Sequence, residues 1–242
     1  MQHLLHNELA DRDIARLAEL FAARGWLSIQ PESFRKAILA AATLRHVQPG
    51  DALFQAGDPP GGIFGVVSGG IAVYAQVGQL LPRMGTIIRE GGWFGTASMA
   101  TGLPRYISAR VQEPSVLVHL PLARIEAMID AAPRQARMFA GLAEFNAWLS
   151  VALACELSIP NASRRVAAVL MRATGALAGL ESQHPQGQLL TQAEVGEMAN
   201  VSRLHTNRIL ADLGERGWIS IGYGRMKVTD PDALRHFAWN DG

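Results

Sequence analysis

Apolar and polar positions first alternate at helical spacing. Residues 8–24, ELADRDIARLAELFAAR, set Leu9, Ile14, Leu17, Leu20 and Phe21 near one face with Asp13, Arg16 and Glu19 between them, which predicts a leading amphipathic helix. After Gly25, Pro31–Leu44 reads as a second helix with Phe34, Ile38 and Leu39 inward and the Gln-Pro pair or Ser33 near its start. From about Val47 to Leu120 the apolar residues come in short runs, ALF, IFGVV, IAVYAQV, MGTII, ISARV and VLVHL. Turn signals such as Pro49-Gly50, Gly69-Gly70 and Gly91-Gly92 separate them. Short strands at such spacing predict a β-sandwich or barrel.

Beyond Pro121 helical patterning returns. Leu122–Ile129 predicts a short helix, Pro133 opens a longer one, and the stretch from Arg134 to about Ser158 stays apolar at Met138, Leu142, Phe145, Leu149 and Ala152. Those five positions alternate spacings of four and three, a heptad-like seam that suits either packing on the chain's own β-domain or a dimer contact that also packs there. Pro160 stops the helix, Asn161 or Ser163 can cap the next one over Arg164–Ala178, and a polar loop, Glu181–Gln188, leads to the final segment.

Composition narrows the classes. The chain has 242 residues, a formal net charge of +1, 49% hydrophobic and 18% charged residues, which suits one large domain or two ordinary ones and excludes a disordered chain. No uncharged apolar run approaches the roughly eighteen residues of a membrane span, and acidic residues come too early in MQHLLHNELADRD for a secretory signal. The expectation is a cytoplasmic protein with no membrane partner. The single cysteine, Cys155, permits no intrachain disulfide and no site built on several thiolates, and is expected in the core. Near-neutral charge argues against a histone-like wrapper but allows a few arginines on one face to contact DNA.

Residues 192–211, QAEVGEMANVSRLHTNRILA, fit a helix-turn-helix. Val195, Ala199, Val201 and Ile209 stand where two crossing helices bury apolar groups, Gly196 where they approach closely, and Asn200 at a turn that needs left-handed backbone. Ser202 can cap the second helix, whose exposed positions hold Arg203, His205, Asn207 and Arg208, with Leu204 a further candidate if it faces the groove. Each arginine suits a guanine edge or a phosphate, Asn207 an adenine or a phosphate, and Leu204 only a thymine methyl, while Thr206 is expected to be structural. The tail WISIGYGRMKVTD reads as two strands joined at Gly222-Tyr223-Gly224, a wing that offers Arg225 and Lys227 to phosphate. An enzyme is not expected. Between Val47 and Leu120 His119 is the only imidazole, so no cupin-like metal triad can form, and no nucleophile elbow, P-loop or dinucleotide fingerprint is present. The competing reading is a ligand-binding signalling module with a vestigial DNA domain.

The chain order resembles the bacterial Crp/Fnr superfamily of transcription regulators. Its carriers are Pro49-Gly50-Asp51-Ala52-Leu53-Phe54, Gly57-Asp58, Val66-Val67-Ser68-Gly69, Gly92-Trp93-Phe94-Gly95, Leu103-Pro104-Arg105, Arg165-Val166-Ala167 and the 190–213 motif. The resemblance implies an α+β chain with a jelly-roll-like β-roll over 31–132, a long dimerisation helix over 133–159 and a winged helix-turn-helix over 160–242, while the helical extension read over 1–30 lies outside the family core. It also implies a homodimer on a two-fold-related operator in double-stranded DNA, contact with RNA polymerase, and a small-molecule effector in the β-roll.

Departures bear on that effector. Cyclic-nucleotide-binding members hold the ribose with a Gly-Glu pair and the phosphate with an Arg followed by Ser or Thr; here Gly95 precedes Thr96 and Arg105 precedes Tyr106. The lost carboxylate and added bulk argue against cyclic AMP. Arg105 remains for an anion or for a structural carboxylate, and Ser150 matches the position that reaches an adenine. An iron–sulfur cluster needs several thiolates, and haem, with His46 and His119 as available ligands, is not favoured. Leu204 stands where Glu commonly reads cytosine, which predicts an operator altered at that step.

Overall fold

The computed structural model describes residues 7–8, 11–76, 78–180 and 184–240. The leading helix, α1 (Asp11–Ala23), follows a two-residue strand β1 (Asn7–Glu8) and precedes α2 (Glu32–Ala41). The second helix stops before Leu44, because the backbone turns extended at Ala42 and Thr43–Val47 forms β2 along β9. The roll continues with β3 (Ala52–Phe54), β4 (Gly62–Ser68), β5 (Ile71–Ala75), β6 (Arg83–Ile88), β7 (Trp93–Phe94), β8 (Ile107–Val111) and β9 (Ser115–Pro121). Two sheets result, ordered β1-β2-β9-β4-β7 and β3-β8-β5-β6. Gly62 (φ 109°) shows why glycine punctuates these strands, since a Cβ there would lie 2.2 Å from the Leu120 carbonyl oxygen.

Then come α3 (Leu122–Ala131), α4 (Gln135–Leu157), α5 (Ala162–Ala173), β10 (Gln188–Leu189), α6 (Gln192–Ala199), α7 (Arg203–Glu215), β11 (Ile219–Gly222), β12 (Arg225–Val228) and α8 (Pro231–Trp239). Asn161 caps α5 by accepting from the Ser163 and Arg164 amides. The helix expected over Arg164–Ala178 ends at Ala173, and a separate 3-10 turn covers Ala176–Ala178 after Gly175 enters the left-handed region.

The chain forms two compact units, residues 1–75 with 88–149, and residues 76–87 with 150–242. In the first, Leu17 and Phe21 of α1, Trp26, Leu27 and the inner face of α2 pack on Trp93, Val118 and Leu120. The Phe21 and Trp93 rings lie 4.9 Å apart, Trp26 and Trp93 5.6 Å, and the Trp26 indole donates to the Met138 carbonyl at 3.0 Å. A second cluster fills the roll around Phe54, Phe64, Phe94, Ile71 and Leu117. Burying aromatic side chains of this size contributes several kcal/mol, roughly 2–3 each. In the second unit Val166–Leu170 of α5 are all buried, as are Val195, Ile209, Leu210, Leu213 and Leu234 on α6, α7 and α8, the helices that pack on α5.

Candidate nucleic-acid interface and effector site

The recognition element is assembled from local rules. A capping box opens α6, with the Glu194 amide donating to Thr191 Oγ1 at 3.2 Å and the Thr191 amide to the Glu194 carboxylate at 2.7 Å. Asn200 closes it at φ 51°, ψ 52°, a left-handed conformation that Asn tolerates better than any β-branched residue. A Cβ on Gly196 would sit 2.8 Å from Thr206 Oγ1 and 3.0 Å from the Val201 carbonyl, so the helices can cross here only because no side chain intervenes. Thr206 is fully buried and its hydroxyl donates to the Ser202 carbonyl at 3.0 Å. Ser202 occupies the N-cap position of α7, but its hydroxyl makes no cap bond, contrary to the expected capping.

With Thr206, Ile209 and Leu210 turned inward, Arg203, Leu204, His205, Asn207 and Arg208 are exposed along the first turns of α7. None of Arg203, His205, Asn207 and Arg208 has an intramolecular hydrogen bond or ion pair among the described residues. Other arginines of this unit are engaged. Arg216 pairs with Asp212, Arg235 with Asp232, and Arg164 donates to the Ala238 carbonyl. Arg165 ties the α4–α5 connection to the end of α6 through the carbonyls of Ile159, Pro160 and Ala199.

In the wing, β12 pairs with β11 and β10. Lys227 is exposed, whereas the Arg225 guanidinium donates to the Gly187 carbonyl at 3.0 Å and is half-buried. That bond fixes the guanidinium on the wing's own base. Tyr223 at the wing tip is 99% exposed, and its two flanking glycines are the sequence signal that marks it.

Within the roll, Arg105 is 3% exposed. Its guanidinium donates to the carbonyls of Gly95 at 3.0 Å, Gly62 at 3.2 Å and Pro59 at 3.4 Å, and lies 4.0 Å from the centroid of the Phe54 ring. Among the described residues no carboxylate pairs with it directly. Burial pulls its pKa below the ordinary value, with Asp58 opposing. Gly95 (φ 102°) brings its backbone close to the Gly62 carbonyl, and Thr96 Oγ1 accepts from Asn146 Nδ2 on α4 at 3.3 Å. Asn146 is thus the α4 residue that meets this loop, a contact that seam spacing gave no reason to expect. Tyr106 is 67% exposed, so its ring adds no bulk inside. Ser150 is exposed on α4. His119 Nε2 lies 3.1 Å from the Gly61 carbonyl and its ring stacks on Phe64 at 4.4 Å, an arrangement that suits structure rather than haem ligation.

The five seam positions divide between two roles. Leu142 is buried in the first unit's core and Met138 packs against it, while Leu149 and Ala152 are half-buried. Phe145 stays open at 41% exposure, and it shares an exposed stripe with Trp148 (70%), Val151 (61%) and Cys155. Cys155 is not in the core as expected, because Glu156 beside it turns inward to Arg172. By length and composition alone α4 is long and apolar enough for a membrane span, contrary to the expectation that no apolar run approaches one. It nevertheless buries Phe139 and Leu142 in protein and exposes Arg137 and Glu144.

A β-roll followed by a long helix and a winged helix-turn-helix defines a two-domain regulator. Residues 44–132 match the family model of the cyclic nucleotide-binding domain, and residues 164–237 that of the Crp-like helix-turn-helix domain. The chain belongs to the Crp/Fnr superfamily of transcription regulators. Similar solved structures include FixK2 from Bradyrhizobium japonicum, at 15% identity over 83% of this chain and 99% of that one, with a TM-score of 0.69. The c-di-GMP responsive global regulator CLP of Xanthomonas campestris is 18% identical over 82% and 99%, with a TM-score of 0.62. A Crp/Fnr-family transcriptional regulator from Thermus thermophilus is 22% identical over 82% and 100%, with a TM-score of 0.57. At these identities the likeness is one of fold. Among curated protein sequences, none matches the chain.

Proposed function

We propose that the chain is a DNA-binding transcription regulator that acts with RNA polymerase as a homodimer, each copy placing α7 in the major groove of one half of a two-fold-related operator. The observation that carries this reading is the set of exposed donors on the first turns of α7, Arg203, His205, Asn207 and Arg208, which have no partner among the described residues. A guanidinium five residues from its neighbour can address a guanine edge while the other meets base or phosphate, and Lys227 adds a phosphate contact from the wing. Ser202, with no intrahelical bond for its hydroxyl, supplies a further phosphate contact beside the α7 N-terminus.

The homodimer reading rests on α4. A helix that is apolar on several faces needs cover on each of them, and the roll covers only the side of Phe139 and Leu142. The open stripe Phe145, Trp148, Val151 and Cys155 runs along one side of the helix at steps of three and four residues, one face round from Met138 and Leu142, so a second copy is the occupant that fits. A short thiol-specific crosslinker then joins the two copies at Cys155.

The test is operator selection from random DNA followed by affinity measurements across salt. A working reader loses affinity steeply as salt rises and loses base discrimination in Arg208→Ala. Unchanged binding in that variant rejects α7 as the reading helix, and weak binding without sequence preference would favour a signalling module whose DNA domain is vestigial.

A further inference from the structure

The family model matched by the roll implies a cyclic nucleotide, and the residues here do not fit one. The groups that would meet it are already engaged with one another. The buried Arg105 guanidinium has the carbonyls of Pro59, Gly62 and Gly95 around it and the Phe54 ring at 4.0 Å. Its backbone is stitched in as well, with the Arg105 amide donating to the Asp58 carbonyl and the Gly57 amide to the Arg105 carbonyl, both at 2.8 Å. Drawing the guanidinium onto a phosphate strips the buried Gly62 and Gly95 carbonyls of this donor, and each acceptor left buried and unpaired weakens binding by roughly tenfold. Thr96 carries no charge to hold a ribose hydroxyl, and its own hydroxyl oxygen accepts from Asn146.

These contacts are continuous. Arg105 holds the Gly95 carbonyl, Gly95 is bonded to Thr96, and Thr96 meets Asn146, next to Phe145 on the exposed stripe of α4. We propose that this β-roll is braced by its own side chains in place of a cyclic nucleotide, Arg105 and the Thr96–Asn146 bond holding the Gly95 loop against α4. Cyclic nucleotide therefore neither binds nor is needed. The consequence for operator affinity rests on the DNA-binding reading above; the brace itself does not.

Two measurements on the full chain test the brace, and a third its consequence. Calorimetry with cyclic AMP and cyclic GMP is expected to give no saturable heat up to about 1 mM, and a micromolar dissociation constant for either overturns the proposal. Hydrogen exchange at the amides of residues 95–99 is expected to run about fivefold faster in Asn146→Ala and Thr96→Val, the weight of one neutral hydrogen bond, and to return in Thr96→Ser. Unchanged exchange in both variants overturns it as well. Operator affinity of the wild type is expected to be the same with and without either nucleotide, and a tenfold gain on adding one overturns the proposal. Should the wild type bind no DNA at all, the regulator reading fails, while calorimetry and exchange still decide the brace.

Discussion

Glu156→Gln isolates the buried charge of Arg172, for which Glu156 is the carboxylate partner among the described residues. The Arg172 Nε donates to Glu156 Oε2 at 2.9 Å with both side chains under a tenth exposed, and the same guanidinium donates to Thr86 Oγ1 at 2.9 Å and to the Gly85 carbonyl at 3.3 Å. Burial lowers the Arg172 pKa, and the charge of Glu156, together with its hydrogen bond, raises it again. A guanidinium does not give up its proton in a folded protein, so the amide leaves a charge in place with neutral acceptors alone. Breaking such a pair costs about 3–5 kcal/mol, and the surviving bonds to Thr86 and Gly85 favour the lower end. For a unit of about a hundred residues that unfolds by itself, 3 kcal/mol lowers the midpoint by roughly 12–24 °C. Urea titration and calorimetric melting of the full chain read both quantities. Glu156→Leu with Arg172→Met removes both charges and is expected to recover all but about 1 kcal/mol. A single-variant loss below about 1 kcal/mol, or a double variant equal to the sum of the singles, refutes the reasoning.

Three further outcomes are expected. Arg208→Ala weakens the selected operator by about 1–3 kcal/mol and relaxes preference at one base step, whereas Lys227→Ala weakens all sequences alike and reduces the salt slope by about one; competition binding at several salt concentrations separates them. Trp148→Glu puts a charge on the exposed stripe of α4 and is expected to convert the proposed dimer to monomer in sedimentation without changing the melting profile of the monomer's own core. Asn200→Val forces a β-branched residue to φ 51° and destabilises the second unit by about 1–2 kcal/mol, while Asn200→Gly is nearly neutral, as thermal melts of the two will compare.

The parts of the fold governed by local rules were legible in the sequence. The turn at Asn200, the small residue at Gly196, the inward Thr206 and the Asn161 cap each follow from sterics or hydrogen bonding within a few residues, and each stands in the structure as the pattern suggested. What escaped depends on partners far away in the chain. Nothing near Arg105 announces that carbonyls 43 and 46 residues earlier will surround its guanidinium. Nor does anything near Arg225 point to Gly187, or near Glu156 to an arginine that also reaches Thr86. The seam on α4 shows a different limit. Periodicity identifies an apolar helix, but when several faces are apolar it cannot say which of them the roll takes and which stays open.

The family match to the roll begins at residue 44, yet eight of the fifteen buried residues in one core cluster lie before it, from Leu17 to Ala42. The heritable motif and the folding unit therefore have different edges. A fragment cut at the motif's border would present Trp93, Val118 and Leu120 to water and leave the Met138 carbonyl without the Trp26 indole, so it should aggregate where the longer piece stays monodisperse. In a relative lacking this prefix, some other segment must cover the same ground, and the identity of that cover is a character by which branches of the superfamily can be told apart.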